Sequence, residues 1–242
     1  MTATINPPAG AHALARLDVA ARIEDYRKAL SHNLSLLRRN LFDRLVLVDN
    51  SGFGTGDLDD IAAGFEQPER VELYSYDGNR AIESRSRLYG ECRLIQHALQ
   101  ATRTFALGSV EQVWKITGRY IVRNIDAIVQ NAPAGFDMCV QCRSLPRRFV
   151  DFGLVGFGRQ RAAEVLEVIA TARAVDHLDE SDLYSMIEKK AFGDLRIVPR
   201  LPRVPDFAGI RGYDNQSYDG MGYRMKFLAR SWANRLAPGL WL

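Results

Sequence analysis

A group of polar side chains follows a short apolar run, LVLV at residues 45–48. The run leads into Asp49, Asn50, Ser51 and Gly52. A carboxylate, an amide and a hydroxyl at the end of a strand can hydrogen-bond a nucleobase or a ribose. The same residues also suit an Asx-type turn, which needs no ligand. The sequence therefore predicts either a nucleoside contact or a turn at this position.

A second group combines cations with the start of a helix. Arg80, Arg85 and Arg87 precede a helix predicted over residues 89–101. Guanidinium groups and a helix N-terminus both attract anions, so this segment is predicted to bind an anion. Glu91 lies in the first turn of this helix. It is either part of the site or a complement to the helix dipole.

The stretch WKITGRYIVRNID, residues 114–126, carries the densest set of candidate side chains. A predicted strand at residues 112–116 runs directly into a glycine with two cations and two hydroxyls around it. These candidates are Lys115, Thr117, Gly118, Arg119 and Tyr120. Glycine permits a tight turn or the close approach of a ligand. The alternative is an ordinary strand with its polar side chains in solvent.

Acidic residues mark the start of a helix predicted over residues 182–191. Asp179 and Asp182 have the spacing of a capping box, which explains that pair structurally. Glu180 is not needed for capping, so it is the candidate for a general base. Asp182 is the reserve candidate.

Basic charge is concentrated near the C-terminus. From Arg196 onward there are eight Lys and Arg residues against three Asp and Glu, whereas the preceding residues carry a net charge of −2. This distribution indicates a local anionic partner, such as a phosphorylated ligand or a membrane surface, rather than a nucleic acid. Arg211 lies between Gly209 and Gly212 and is a candidate for closing over a phosphate; the alternative is a turn with a solvated arginine.

These candidates lie on elements that alternate between strand and helix. Strands are predicted at residues 11–20, 45–48, 71–76, 112–116, 136–142 and 195–199. Helices are predicted at residues 22–40, 57–65, 89–101, 159–173 and 182–191, with a strand-to-helix passage at 121–129. The pattern predicts an α/β fold with a mainly parallel sheet, whose ligands bind outside the carboxyl ends of the strands. One domain over residues 1–218 and a C-terminal extension over 219–242 are expected.

Composition excludes several classes of protein. With 47% hydrophobic and 25% charged residues, the chain is neither disordered nor collagenous. Without a signal peptide or an apolar run of about 18 residues, it is expected to be cytoplasmic. Cys139 and Cys142 form a CxxC inside a predicted strand, so their side chains are expected on opposite faces. With Cys92 they are interpreted as reduced structural cysteines.

The C-terminal extension contains a predicted helix at residues 223–236. Met225, Leu228, Trp232 and Leu236 share one face of it, and Arg224 and Arg235 flank that face. A basic amphipathic helix with an aromatic anchor can lie in a membrane interface. The alternative is a helix that packs on the body of the protein or on a second subunit, as in a homodimer.

The order of these segments resembles the GT-A-type glycosyltransferases, in particular the small bacterial enzymes that build capsule, O-antigen and other surface polysaccharides. The resemblance is carried by VLVDNSG (46–52), RLYGECRLIQHAL (87–99) and VWKITGRYIVRNID (113–126). VDFGLVGFGR (150–159) and DESDLYSMIEKK (179–190) support it. It extends to about residue 218.

The resemblance implies a nucleotide-sugar donor, a saccharide or lipid-linked acceptor, and a role for each segment. Asp49 falls where the nucleoside is contacted, and Glu180 where inverting members place the base. Ile116, Thr117 and Gly118 replace the usual Asp-x-Asp metal site. No cofactor is therefore expected, and Lys115, Arg119 and Arg211 are expected to neutralise the leaving phosphate. Mn²⁺ or Mg²⁺ bound by another carboxylate stays an alternative, either at Asp49 or at the Asn-x-Asp formed by Asn124 and Asp126.

Two other classes stay open. A nucleotidyltransferase that activates a sugar or alditol phosphate has a similar build, but usually carries a Gly-rich basic loop after the first strand. Residues 18–25, at the end of the predicted first strand, contain no glycine, which counts against this class. The third class is a non-catalytic module that binds a nucleotide sugar.

Overall fold

The computed structural model describes residues 1–7, 15–78, 86–106, 109–172, 178–212 and 214–236. The strands are β1 (Thr2–Ala3), β2 (Leu45–Asp49), β3 (Val71–Ser75), β4 (Gln112–Ile116), β5 (Ile121–Val122), β6 (Met138–Arg143), β7 (Phe149–Gly158), β8 (Ile197–Val198) and β9 (Phe207–Ala208). The α-helices are α1 (Val19–Arg38), α2 (Gly56–Ala63), α3 (Arg87–Ala101), α4 (Arg103–Ala106), α5 (Ile125–Gln130), α6 (Ala162–Thr171), α7 (Glu180–Glu188) and α8 (Met221–Leu236).

The strands form a parallel sheet and a mixed sheet that meet at β1. In the parallel sheet the order is β1-β2-β3, and in the mixed sheet it is β4-β7-β6-β8. Thr2 of β1 also forms a parallel bridge with Thr117, directly after β4. Thus β1 has β2 on one side and the end of β4 on the other. Such a reversal of strand order is where open α/β sheets form a ligand crevice.

Helices cover both faces of β6. Cys142 packs in a cluster with residues of α3, α6 and α7, whereas Cys139 packs in a second cluster with Ile128 of α5. The prediction that the CxxC side chains point to opposite faces is confirmed. All three cysteines are free and buried, and burial raises the pKa of Cys139 and of Cys142 to about 12.

The predicted α/β class is confirmed, but two details of the sheet are wrong. The first strand is Thr2–Ala3 rather than residues 11–20, because residues 15–18 are irregular and α1 begins at Val19; residues 8–14 lie outside the described part of the chain. The sheet is also less parallel than predicted, because β7 pairs antiparallel with both β4 and β6. None of the described helices is long and apolar enough to cross a membrane.

Candidate functional site

The predicted site residues gather along one edge of the two sheets. Strands β1, β2 and the end of β4 run parallel, and β4 and β6 both run antiparallel to β7. The carboxyl ends of β1, β2, β4 and β6 therefore lie at this edge. The N-terminal turns of α3 and α7 contribute Arg87 and Glu180, which form an ion pair with each other. The edge therefore unites segments that are far apart in sequence. We refer to it as the carboxyl-edge crevice.

Asp49 is fully buried at the end of β2, and its carboxylate binds protein groups. Its Oδ1 accepts hydrogen bonds from the backbone N–H of Ile5 at 2.8 Å and from the Ser51 hydroxyl at 2.8 Å. Its Oδ2 accepts one from the Ser75 hydroxyl at 2.9 Å. The Asn50 side chain accepts a hydrogen bond from the Thr4 hydroxyl at 2.6 Å. These contacts tie the ends of β1, β2 and β3 together.

Glu91 and Lys115 form a buried ion pair between α3 and β4. Lys115 Nζ lies 2.5 Å from Glu91 Oε1, and it also donates to the Phe152 carbonyl at 2.5 Å and the Thr117 hydroxyl at 3.2 Å. The Thr2 hydroxyl donates to Glu91 at 2.7 Å. Burial raises the pKa of Glu91. The charge and the hydrogen bond of Lys115, with help from Thr2 and Arg87, lower it by more, so the pKa lies below its ordinary value. Lys115 thus has protein partners for all three of its protons.

Gly118 marks the point where β4 meets β1. Its backbone N–H donates to the Thr2 carbonyl at 2.7 Å. A Cβ at this position would lie 2.6 Å from the same oxygen and 3.1 Å from the Tyr26 ring. The glycine is therefore explained by close packing of two backbones.

Arg119 is the buried cation of the crevice for which the structure gives no acidic partner. The residue is only 8% exposed, and its Nε has no hydrogen-bond partner. Across the described ranges, no carboxylate lies within ion-pair distance of its guanidinium. Burial lowers the pKa of Arg119, whereas Tyr26, Tyr120 and Glu91 raise it and prevail. The group therefore stays charged in a place that water hardly reaches.

Glu180 occupies the first turn of α7, beside the capping residues. Asp179 and Asp182 form the predicted capping box, with Asp179 accepting from the backbone N–H of Asp182 at 3.0 Å. Glu180 takes no part in it and instead contacts Arg87 of α3. Burial lowers the pKa of Arg87, but Glu180 raises it more strongly, so the net direction is upward. Arg87 thereby fixes the Glu180 carboxylate at the crevice.

Arg211 lies across the crevice from β4, in a loop that touches Arg119. Its guanidinium pairs with Asp214 at 2.6 Å and lies 5.7 Å from the centre of the Tyr218 ring. A side chain at the neighbouring Gly212 would collide with the Arg119 guanidinium. The loop thus packs directly on Arg119.

The sequence analysis missed two charged residues at the same edge. Arg143 ends β6 and donates to Asp151 of β7 at 2.5 Å, while the Arg143 Nε is buried without a hydrogen-bond partner. Asp151 also accepts from the backbone N–H of Gly153 at 3.2 Å. Asp151 could have been found from the sequence, because it is the single acidic residue in the apolar run FVDFGLVGF at residues 149–157.

Aromatic rings form the wall of the crevice between β4 and the C-terminal segment. Tyr120 and Tyr218 pack edge to face with centroids 5.2 Å apart, and Tyr218 packs on Phe207 at 5.4 Å and Tyr223 at 4.7 Å. Burial and the neighbouring Tyr120 raise the pKa of Tyr218. Tyr120 and Phe207 are buried, so these rings pack the C-terminal segment against the end of β4.

The residues present do not fit a divalent metal. In the part of the chain that the structure describes, no three His, Cys, Asp or Glu side chains are grouped to hold a metal ion. Asn124 donates to the Val204 carbonyl at 2.9 Å, and Asp126 pairs with Arg39 at 3.0 Å. The Asn-x-Asp alternative thus has other partners. Arg80 and Arg85 of the predicted anion site lie outside the described residues.

A cavity of about 580 Å³ lies toward the amino ends of β2 and β4, away from most of the site. Of the predicted site residues that the structure describes, Lys115 alone borders it. The cavity therefore does not coincide with the crevice.

Comparison of the sequence with protein-family models and with curated proteins finds no match in either case. The geometry of the crevice is therefore the basis for assigning a function.

Proposed function

We propose that the protein is a glycosyltransferase that moves a sugar from a nucleotide-sugar donor to a saccharide acceptor. The acceptor is a lipid-linked or growing surface polysaccharide. The proposal includes the GT-A-like assignment of the fold. It is supported by the reversal of strand order at β1 and by the charges that meet there.

Arg119 is the observation that carries the proposal. Tyr120 hydrogen-bonds Arg119, but no described carboxylate balances its buried charge, and an anionic ligand would do so. Arg211 and Gly212 pack against it, and Arg87 lies near Glu91 on the α3 side. A diphosphate between these guanidinium groups gains charge-assisted hydrogen bonds. The crevice therefore suits the leaving group of a nucleotide sugar.

Glu180 supplies the second requirement, a base beside the anion site. As the acceptor oxygen bonds to the anomeric carbon, the bond from that carbon to the diphosphate breaks and the electron pair leaves with the diphosphate. Glu180 takes the proton of the acceptor hydroxyl. Arg119 stabilises the charge that develops on the leaving diphosphate. No step requires a metal.

The test is binding of UDP-, GDP-, CMP- and dTDP-linked sugars, measured as a rise in melting temperature. It is followed by assay of release of the nucleoside diphosphate, or of CMP from a CMP-linked sugar. We expect one donor to stabilise the wild type and Arg119→Gln to lose that shift. Arg119→Gln should keep its own melting temperature, because it removes a buried charge that no described carboxylate balances. Arg159→Gln is the matched control, because Arg159 lies at the opposite edge and contacts the Phe105 carbonyl. Absence of any donor effect would refute the proposal.

A nucleotidyltransferase is the second candidate, because the first strand is Thr2–Ala3 and not residues 11–20 as predicted. Residues 4–18 separate β1 from α1, so the lack of glycine in residues 18–25 no longer bears on this class. This segment has one glycine, Gly10, and its single Arg or Lys, Arg16, pairs with Asp25 at 2.7 Å. Pyrophosphate release from a nucleoside triphosphate would favour this candidate. Donor binding without release of any product would favour the non-catalytic module.

A further inference from the structure

Helix α8 packs on the protein through one side only. Tyr223 contacts the Tyr218 ring, Arg224 donates twice to Asp206 at 3.0 Å, and Arg200 donates to the Asn234 carbonyl at 2.8 Å. Phe227 is half-buried on the same side. These contacts fix the rotation of the helix about its axis. The direction of the opposite side is therefore defined.

The opposite side carries an apolar stripe that the described residues leave uncovered. Its members recur at intervals of three and four residues and are each between 49% and 83% exposed. They are Met221, Met225, Leu228, Trp232 and Leu236. At 100° per residue they span less than a quarter of the helix circumference and point away from the packed side. A continuous exposed stripe of this kind marks an interaction surface.

We propose that this apolar stripe docks the protein on an anionic lipid bilayer, with α8 lying in the plane of the interface. Arg224, which also pairs with Asp206, and Arg235 flank the stripe, and the helix has no acidic residue, which suits anionic headgroups. Trp232 lies near the centre of the stripe, where an indole suits the boundary between headgroups and acyl chains. Charge and apolar face thus match one occupant.

The charges also argue against a second copy as the occupant. A two-fold axis would place the same helix against itself, so two basic helices would face and repel each other. Since α8 has no acidic residue, none of its own side chains would offset that repulsion. A lipid surface has no such conflict.

Docking through the stripe would hold the crevice close to the membrane. Arg230 of α8 is half-buried, and burial together with the Arg143 guanidinium lowers its pKa, while Asp151 acts in the opposite direction. The helix therefore borders the crevice on its packed side and presents the stripe on the other. This arrangement does not depend on the reaction that the crevice performs.

The experiment is co-sedimentation of the full chain with vesicles of equal parts phosphatidylcholine and phosphatidylglycerol, and with phosphatidylcholine alone. We expect the wild type to pellet with the anionic vesicles at low salt and to be released by sodium chloride. The triple variant Met225→Ser, Leu228→Ser, Trp232→Ser should bind at least ~10-fold more weakly, because three large side chains no longer insert. Its fold should persist, since all three are exposed, and circular dichroism checks this.

The matched control is Leu17→Ser against Leu228→Ser. These leucines are 52% and 49% exposed, and Leu17 lies before α1 rather than on α8. Leu17→Ser should bind vesicles like the wild type. The proposal is overturned if the wild type stays in the supernatant at low salt, or if the triple variant pellets equally well. It is also overturned if light scattering shows a dimer that the triple variant dissociates, without vesicle binding.

Discussion

At the scale of single residues, Glu180 carries the proposed chemistry. We expect Glu180→Gln to lower turnover by a factor of at least ~100, because the acceptor hydroxyl loses its base. Donor binding and fold should persist, since the capping box of α7 uses Asp179 and Asp182 instead. Steady-state kinetics with a donor and acceptor, together with a melting curve, measure both effects.

The matched variant is Asp182→Asn. It should lower the free energy of unfolding by about 1 kcal/mol, because Asp182 belongs to the capping box, and it should leave turnover unchanged. If Glu180→Gln keeps full turnover while Asp182→Asn is inactive, the base is Asp182 and the assignment is wrong.

The buried pair of Glu91 and Lys115 governs stability and its dependence on pH. At neutral pH, Glu91→Gln should lower the free energy of unfolding by about 3 kcal/mol, because it leaves the Lys115 charge buried and unpaired. Glu24→Gln is the control: Glu24 pairs with Lys28 at 3.2 Å on the exposed side of α1. Exposed pairs of this kind contribute about 0–1 kcal/mol.

The pH dependence follows from the direction of the pKa shift. Lys115 holds the pKa of Glu91 below its ordinary value of 4.5 in the folded protein. The pair's contribution is therefore fully present above about pH 5 and is lost as pH falls through the folded pKa. Urea unfolding of wild type and Glu91→Gln should show curves that converge in acid. A difference that stays constant over the whole acid range in which the wild type remains folded would contradict this account.

At the scale of elements, the junction between β1 and β4 depends on Gly118. We expect Gly118→Ala to destabilise the protein by about 1–3 kcal/mol, because its methyl group would press on the Thr2 carbonyl. Gly222→Ala is the matched control, since nothing lies within 4 Å of a Cβ there and alanine favours the helix. Urea unfolding compares the two. Equal stability of Gly118→Ala and wild type would show that the junction yields without cost.

Elements with strong local patterns were predictable, whereas those fixed by neighbours were not. Strand β4 was predicted with its observed bounds because Val113, Trp114 and Ile116 favour strand. Strand β2 was predicted to within one residue because its apolar run is continuous. Strand β7 was missed because Gly153, Gly156 and Gly158 reduce strand propensity. Two of them are required by packing: a Cβ at Gly156 would touch the Trp114 ring at 3.0 Å, and one at Gly158 would meet the Phe136 carbonyl at 2.5 Å.

The site shows the same division between local and distant information. The capping box spans four residues, so its spacing was visible in the sequence. The contact of Arg87 with Glu180 joins residues 93 positions apart, and no local pattern encodes it. The structure also gives Lys115 and Asp49 internal partners, although spacing alone made them equal candidates to Arg119. Burial and pairing depend on the whole fold, and they distinguish side chains with internal partners, such as Lys115 and Asp49, from Arg119, the proposed anion-binding residue.

At the scale of the whole molecule, the charges of the crevice pair with one another except at Arg119, which no described carboxylate balances. The cations are Arg87, Lys115, Arg119, Arg143 and Arg211, and the carboxylates that contact them directly are Glu91, Asp151, Glu180 and Asp214. Each carboxylate already has a basic partner, and Arg119 is left to balance an incoming anion. Affinity for a diphosphate should therefore depend on guanidinium groups. This electrostatic arrangement has a direct consequence for metal dependence.

We expect activity to survive chelation by EDTA. Arg119 can neutralise the leaving diphosphate, and Asp49 and Asp126, the alternative metal ligands, bind Ser75 and Arg39 instead. The measurement is initial rate with EDTA and with added Mn²⁺, in parallel with Arg119→Gln. Wild-type rates should agree within about twofold, whereas Arg119→Gln should be at least ~100-fold slower in both, the scale set by loss of one electrostatic donor. If EDTA abolishes activity and Mn²⁺ restores it, a metal rather than Arg119 balances the diphosphate, and carboxylates of the crevice must exchange their present partners to bind it.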